Sequence, residues 1–218
     1  MDSLPTVLLK PGEADRIVAG HPWVYEASIL RITKPPEDGS VVQIKDHRQR
    51  LIGTGFFNSK SKIRVRVLSS DRTDLGSAFF LERIRTALQL RKRQMPEASS
   101  FRVVNAESDF LSGLIIDKYE DVMVIQTSSL GMDQRKSLIA GALKQLLNPR
   151  SILERNDMAS RKFEGMAESS GVLDGEPVEE VQVSLNGLRF SLNLKSGHKT
   201  GLYLDQQMNY QQTAQLAK

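Results

Sequence analysis

Cysteine is absent from all 218 residues. Its absence excludes disulfides, thiolate metal sites and a cysteine nucleophile within this chain. No apolar run approaches the ~20 residues a membrane-spanning helix requires. Met1–Lys10 lacks the basic-then-apolar layout of a secretion signal, so a cytoplasmic location is expected. Histidine is scarce: His21, His47 and His198 lie far apart, and no metal site is expected from them. There is no P-loop, no Gly-x-Gly-x-x-Gly and no Gly-x-Ser-x-Gly, which leaves nucleotide-binding and hydrolase readings without local support. Gly53-Thr54-Gly55 does not replace them, because the apolar pattern runs on as strand with no helix start. The carboxylate pairs Glu107/Asp109 and Glu154/Asp157 have no nucleophile beside them, so acid–base catalysis is not expected there.

What is present is a mildly basic chain, with a formal net charge of +4. Arg83, Arg85, Arg91, Lys92 and Arg93 crowd one segment, while Lys60, Lys62, Arg64 and Arg66 crowd another. Clustered cations suit phosphate contacts and equally suit a solvated helix or sheet face. In the second cluster Ile63, Val65 and Val67 alternate with Lys62, Arg64 and Arg66, which predicts a strand with one core face and one basic strip. The single tryptophan, Trp23, reads first as a rim or core anchor of a small barrel and second as a base-stacking residue.

Taken in order, Glu13–Gly20 predicts a short helix, and His21-Pro22-Trp23 turns the chain into extended structure. Short strands follow at Val41–Lys45, Leu51–Phe57 and Lys62–Leu68, at the close spacing of a small β-barrel. Polar residues 69–76 mark a boundary, beyond which Phe80, Leu81, Ile84 and Leu88 predict an amphipathic helix running to about Met95 and stopped by Pro96. Strands are predicted at Phe101–Ala106, Gly113–Asp117 and Val122–Thr127, then a helix from Met132 to Leu147 and a strand at Ser151–Arg155. Asp157 is expected to cap a short helix through Phe163, and Glu168–Glu180 reads as a linker. Val181–Leu194 alternates about Asn186-Gly187, predicting a hairpin with Val181 opposite Leu192, Val183 opposite Phe190 and Leu185 opposite Leu188. After it, Gly197 and Gly201 flank Lys199-Thr200, a loop able to approach an anionic group closely. The plainer alternative is a hairpin-to-helix connection with Asp205 as N-cap.

Ser196–Asn209 resembles the Gly-x-Lys-Thr-Gly-x-(aromatic)-Leu-Asp-Gln-x-x-Asn segment of the large-subunit methyltransferase I family, S-adenosylmethionine-dependent enzymes that modify 23S ribosomal RNA at cytosine C5. The resemblance extends over the whole chain, through Leu9-Lys10-Pro11-Gly12, Gly20-His21-Pro22-Trp23-Val24, Ile63–Leu68 and Gly113–Asp117. The chain departs from the family pattern at His198, where Gln is usual, and at Gln207, where Arg is usual. The resemblance implies an α+β multidomain chain: a small PUA-type β-barrel over 1–73, a central α+β domain of strand-strand-helix-strand type over 74–178, and over 179–218 a β-hairpin and the first helix of a truncated Rossmann-like methyltransferase domain. It implies that Lys199, Thr200, Tyr203, Asp205 and Gln206 contact S-adenosylmethionine, and that Lys10, His21, Trp23, Lys60, Arg64 and Arg66 contact ribosomal RNA. It also implies a homodimer. Because C5 methylation ordinarily needs a nucleophile at C6 and this chain has no cysteine, the chain is expected to be inactive alone, its closing helix leaning on a sheet it does not contain. The alternative is a stand-alone, non-catalytic PUA-type RNA-binding module.

Overall fold

A computed structural model describes residues 4–195 and 200–217. The first unit is a six-stranded mixed sheet made of β1 (Thr6–Leu9), β2 (Trp23–Tyr25), β3 (Ile29–Ile32), β4 (Val41–Lys45), β5 (Leu51–Phe57) and β6 (Ile63–Ser69), with the short helix α1 (Ala14–Val18). Its spatial order is β2-β6-β5-β4-β1-β3. Val24 at one edge and Ile29 and Ile32 at the other pack into a single cluster with Val7, Ile44 and Val65, so the sheet curls on itself. Its edge strands are not paired to each other, so the predicted barrel closes through side chains rather than by a hydrogen-bond ladder.

The second unit contains α2 (Ser77–Gln94), β7 (Phe101–Asn105), β8 (Leu114–Tyr119), β9 (Val122–Thr127), α3 (Leu130–Asp133), α4 (Lys136–Leu147), β10 (Ser151–Asn156) and β11 (Ser169–Gly175). The strand order is β11-β10-β9-β8-β7, antiparallel except for the β9/β10 pair that α4 connects. The predicted helix over 132–147 is divided, with Arg135 leaving helical geometry between α3 and α4. Asn148, in the left-handed region before Pro149, ends α4. The expected linker at Glu168–Glu180 is corrected: Ser169–Gly175 is strand β11, paired with β10 from Ser169 opposite Asn156 to Gly175 opposite Ser151. Its two glycines and sparse apolar residues read as loop in the sequence, but an edge position asks for little burial. The expected helix capped by Asp157 is likewise a 3-10 turn at Ala159–Glu164, while the Asp157 carboxylate accepts from Arg155 at 2.8 Å.

Strand alternation explains the layering. On β9, Met123 and Ile125 join Phe80, Ile84, Ile139 and Leu143 beneath α2 and α4. Val122 and Val124 face the other way, toward the hairpin formed by β12 (Glu180–Leu185) and β13 (Leu188–Asn193). The hairpin adopts the predicted register, Val181 opposite Leu192 and Leu185 opposite Leu188, with Asn186 and Gly187 both at positive φ. Only part of its apolar face is covered: Val183 is buried, whereas Leu188 is 63% exposed.

The first unit keeps its own core and also contributes to that of the second. Phe56 of β5 and Leu68 of β6 belong to the same cluster as Phe80 and Met132. Gly131 is needed at this seam, because a β-carbon there would stand 2.3 Å from the Phe56 ring. The Arg135 guanidinium lies 4.0 Å over that ring.

After the hairpin, a 3-10 turn at Leu204–Gln206 leads into α5 (Gln207–Leu216). The sheet that the closing helix is expected to lean on concerns α5, whereas the segment leading into α5 packs on the central sheet of this chain. Leu194 and Leu204 pack with Tyr119, Val124 and Leu153 of the central sheet. Most of α5 itself is exposed.

Candidate functional site

Two regions collect the residues singled out in the sequence, a cleft between the first two units and the loop that follows the hairpin. In the cleft, Trp23, Lys60 and Arg66 come together with Lys62, Lys162 and Phe163. The cleft exists because β2 and β6 pair with Trp23 directly opposite Arg66, while the 3-10 turn Ala159–Glu164 of the second unit reaches across to β6.

Glu164 makes that reach possible. Its carboxylate is 4% exposed and accepts from Ser61 Oγ at 2.6 Å, Asn58 Nδ2 at 2.9 Å and Arg66 Nη2 at 3.0 Å. A charge this deeply buried requires such partners. Arg66 also stands 3.6 Å from Glu107, and the Trp23 indole N–H donates to Glu107 Oε1 and Ser112 Oγ, both at 3.2 Å. At the far end of the turn Arg161, 2% exposed, donates to the Thr127 carbonyl at 2.6 Å and to Asp133 at 3.1 Å. Burial by itself would raise the Asp133 carboxyl, but the bonds from Thr127 and Arg161 overcome it and hold the group below the usual range.

The expected basic strip is therefore altered in substance. Arg66 is a half-buried ion-pair partner, and Arg64 turns to Glu26 at 2.7 Å. Neither guanidinium is offered openly to a phosphate. Lys60, Lys62 and Lys162 are exposed and have no ion pair among the described residues. His21 stays beside Trp23, its Nδ1 accepting the Trp23 backbone N–H at 3.2 Å. Lys10 is exposed but does not line this cleft. Lys162 and Phe163 were missed because a turn of this kind has no periodic signature, though an apolar residue directly after the two cations Arg161 and Lys162 was a usable hint.

In the second region the loop is fastened to the central sheet by a buried polar relay. The Leu202 N–H donates to Tyr119 Oη at 2.9 Å, and Tyr119 Oη lies 3.0 Å from Thr200 Oγ1. The Thr200 hydroxyl donates to Asp117 Oδ2, so the shared Tyr119–Thr200 proton comes from the tyrosine. Asp117, fully buried, takes a bidentate pair from Arg102 at 2.8 and 2.9 Å, and Arg102 also reaches Asp205 at 3.4 Å. Burial alone would lower the Arg102 guanidinium; its bonds to Asp117 raise it instead. Burial, reinforced by the Asp117 charge, pushes the Tyr119 phenol up to about 12. Gly201, at φ +148°, lets the backbone pass close to Tyr119, since a β-carbon there would meet its hydroxyl at 3.1 Å.

These contacts revise the expected cofactor set. Thr200 is completely buried with its hydroxyl engaged, so it fastens the loop rather than presenting a ligand contact. The glycine that was expected to allow close approach to a ligand allows close approach to Tyr119. Asp205 borders a groove with Arg102 and Asn105, whereas Tyr203 borders a separate groove with Leu188, Phe190 and Tyr210. The Gln206 side-chain carbonyl accepts from Asn209 at 2.8 Å. Lys199, with His198, lies outside the described residues. The described residues of the loop thus do not converge on one complete pocket for a nucleoside cofactor.

With the curled sheet, its short helix and the cleft at β2 and β6 in place, the comparison with known families is decisive for the first unit. Residues 7–70 match the PUA-like domain family. The cleft therefore lies along one side of the PUA-like domain, where it meets the central unit. Over 215 residues the chain is 36% identical to Ribosomal RNA large subunit methyltransferase I of Alteromonas mediterranea, an alignment covering 97% of this chain and 54% of that protein. It is 38% identical over 211 residues to the protein of the same name from Aeromonas salmonicida, covering 94% of this chain and 53% of that one. The chain thus spans about half the length of the curated relatives it matches. Among solved structures, one named as a SAM-dependent methyltransferase from Streptococcus mutans superposes with a TM-score of 0.76 at 20% identity, covering 95% of this chain and 53% of that chain. A methyltransferase solved in complex with SAH gives 0.77 at 19% identity, covering 94% and 52%. At that identity the two share the fold with this chain.

Proposed function

We propose that this chain is the RNA-gripping portion of an S-adenosylmethionine-dependent methyltransferase acting on large-subunit ribosomal RNA at cytosine C5. The observation that carries the reading is the cleft beside the PUA-like domain, where Trp23, Lys60 and Arg66 meet two further lysines on a rigid frame. The names of the relatives supply the RNA substrate and the methyl-transfer chemistry, and the neighbour holding SAH points to the methyl donor. In this reading the protein works in the cytoplasm, as a homodimer.

S-adenosylmethionine would supply the methyl group, and this chain's own residues would bind and orient the RNA. Tyr203, Asp205 and Gln206 would contribute at most a rim of the cofactor site, because Thr200 is already taken. The nucleophile for C6 belongs, on this reading, to the part of the relatives that the chain does not span, since the chain has no cysteine. The purified chain is expected to retain ribosomal RNA on a filter yet transfer no methyl group from labelled S-adenosylmethionine. Incorporation of label would overturn this division of labour.

Phosphate contact by the lysines has its own test. Replacing Lys60, Lys62 and Lys162 together with Ala is expected to weaken RNA binding and flatten the slope of log affinity against log salt by about 2, as three lost contacts to a single strand require. An unchanged slope would move the phosphate contacts elsewhere.

The stand-alone RNA-binding module keeps one observation in its favour, the bonds of Thr200 and Leu202 to Asp117 and Tyr119 of the central sheet. The two readings part on the cofactor. Calorimetric binding of S-adenosylhomocysteine to a protein that includes the rest of the relatives' length, but not to one carrying Tyr203→Ala and Asp205→Ala in that same protein, would favour the methyltransferase.

A further inference from the structure

We infer that Trp23 and Phe163 form an aromatic seat for an unpaired RNA base, with Lys60, Lys62 and Lys162 holding the phosphates around it. The inference rests on the RNA-binding reading above and specifies the form of RNA that the cleft takes.

Phe163 is 77% exposed, while its neighbours Arg161 and Glu164 are 2% and 4% exposed. A phenyl ring left in water on a fraying loop means little. Here the turn is bolted on both sides, by Arg161 to Thr127 and Asp133 and by Glu164 to Asn58, Ser61 and Arg66. The fold thus holds an apolar ring in a fixed, solvent-facing position at the rim of a cleft. Trp23 lines the same cleft, its indole N–H tied to Glu107 and Ser112, so that its edge is fixed as well.

The charges around the rings select the ligand. Both cleft carboxylates, Glu107 and Glu164, are engaged by Arg66, whereas the three lysines have no ion pair among the described residues. The Lys60 stem crosses the end of the turn, because a β-carbon on Gly165 would stand 2.4 Å from Lys60 Cδ. That places one cation against Gly165, two residues along the chain from Phe163, in the cleft that Lys60 and Phe163 both line. Aromatic faces flanked by unpaired ammonium groups suit a splayed base and its phosphates; a duplex keeps its bases stacked inside and offers only phosphate.

The test uses the whole chain and two labelled RNAs of equal length, one a hairpin with an unpaired loop and one fully paired, followed by anisotropy. The hairpin is expected to bind more tightly and to quench the fluorescence of the single tryptophan. Phe163→Ala is expected to weaken hairpin binding about 5- to 150-fold, the range measured for loss of one stacked base, and to leave duplex binding and the melting temperature unchanged. Phe163→Trp is expected to keep hairpin binding. If Phe163→Ala binds the hairpin as well as the parent does, or weakens both RNAs equally, the seat is wrong while the RNA reading survives. If polyglutamate displaces the hairpin at equal concentration, the cleft is one for acidic polypeptide and the seat is again wrong. If the parent chain binds neither RNA, the RNA reading itself fails.

Discussion

Replacing Asp117 with Ala is expected to destabilise the chain by about 3–5 kcal/mol, the range found when one member of a buried ion pair is removed. Asp117 is wholly buried and holds Arg102 by two bonds and Thr200 by a third. Without it, Arg102 keeps, among the described residues, Asp205 and Asn105, each at 3.4 Å, and Thr200 loses its carboxylate acceptor. Urea unfolding measures the loss. Exchange of the Leu202 amide, which Tyr119 protects, should speed up by more than global unfolding alone requires. The companion variant Arg102→Met with Asp117→Leu is expected to recover much of the stability, because an apolar pair of similar size carries no desolvation cost. A loss below about 1 kcal/mol for Asp117→Ala would mean that the pair is held open to water.

The second large effect is expected at Glu164. Glu164→Ala strips partners from Asn58, Ser61 and Arg66 at once and should cost about 3 kcal/mol, with most of the loss due to Arg66 left poorly compensated in a half-buried site. Glu164→Gln keeps an acceptor and should cost less. A double-mutant cycle with Arg66→Met isolates the pair, and a coupling energy of about 0.5–3 kcal/mol is expected for residues in direct contact. Additive losses would show that Glu164 acts through Asn58 and Ser61 alone. The substitution should also weaken RNA binding, because Glu164 anchors the turn that carries Lys162 and Phe163. A Glu164→Ala chain that binds RNA normally would separate the latch from the cleft.

Local pattern made much of the fold legible. The Asn186-Gly187 turn with alternating flanks specified the hairpin register, and Val122–Thr127 appears as the strand predicted, because both depend on short-range backbone preference and period-two alternation. Where local signals were weak, the reading failed. Ser169–Gly175 passed for a linker because two glycines masked an edge strand that β10 stabilises. The turn at Ala159–Glu164 lacked a helical period, so neither Glu164 nor Phe163 stood out.

Charge was read least well, for a physical reason. Alternation on β6 correctly put Arg64 and Arg66 on the side opposite Val65, but it carries no information on which residue from elsewhere meets that side. Tertiary contact decided it, bringing Glu164 to Arg66 across 98 positions and Glu26 to Arg64. The same holds for the loop after the hairpin, whose Thr200 looked available until Asp117 and Tyr119 were found on it.

The amino-acid sequence alone determined several of the strands and helices, the hairpin register, the absence of any thiol and the likeness to a PUA-bearing methyltransferase family. These follow from side-chain alternation, turn chemistry and composition, which act between near neighbours. Only the tertiary structure decided which cations are neutralised and which remain for a ligand, that Thr200 and Leu202 are fastened to the central sheet, and that Phe163 stands in solvent on the cleft that Trp23 also lines. Those outcomes depend on contacts between residues distant in the chain, and a buried charge or an exposed ring acquires its meaning from what the fold places against it.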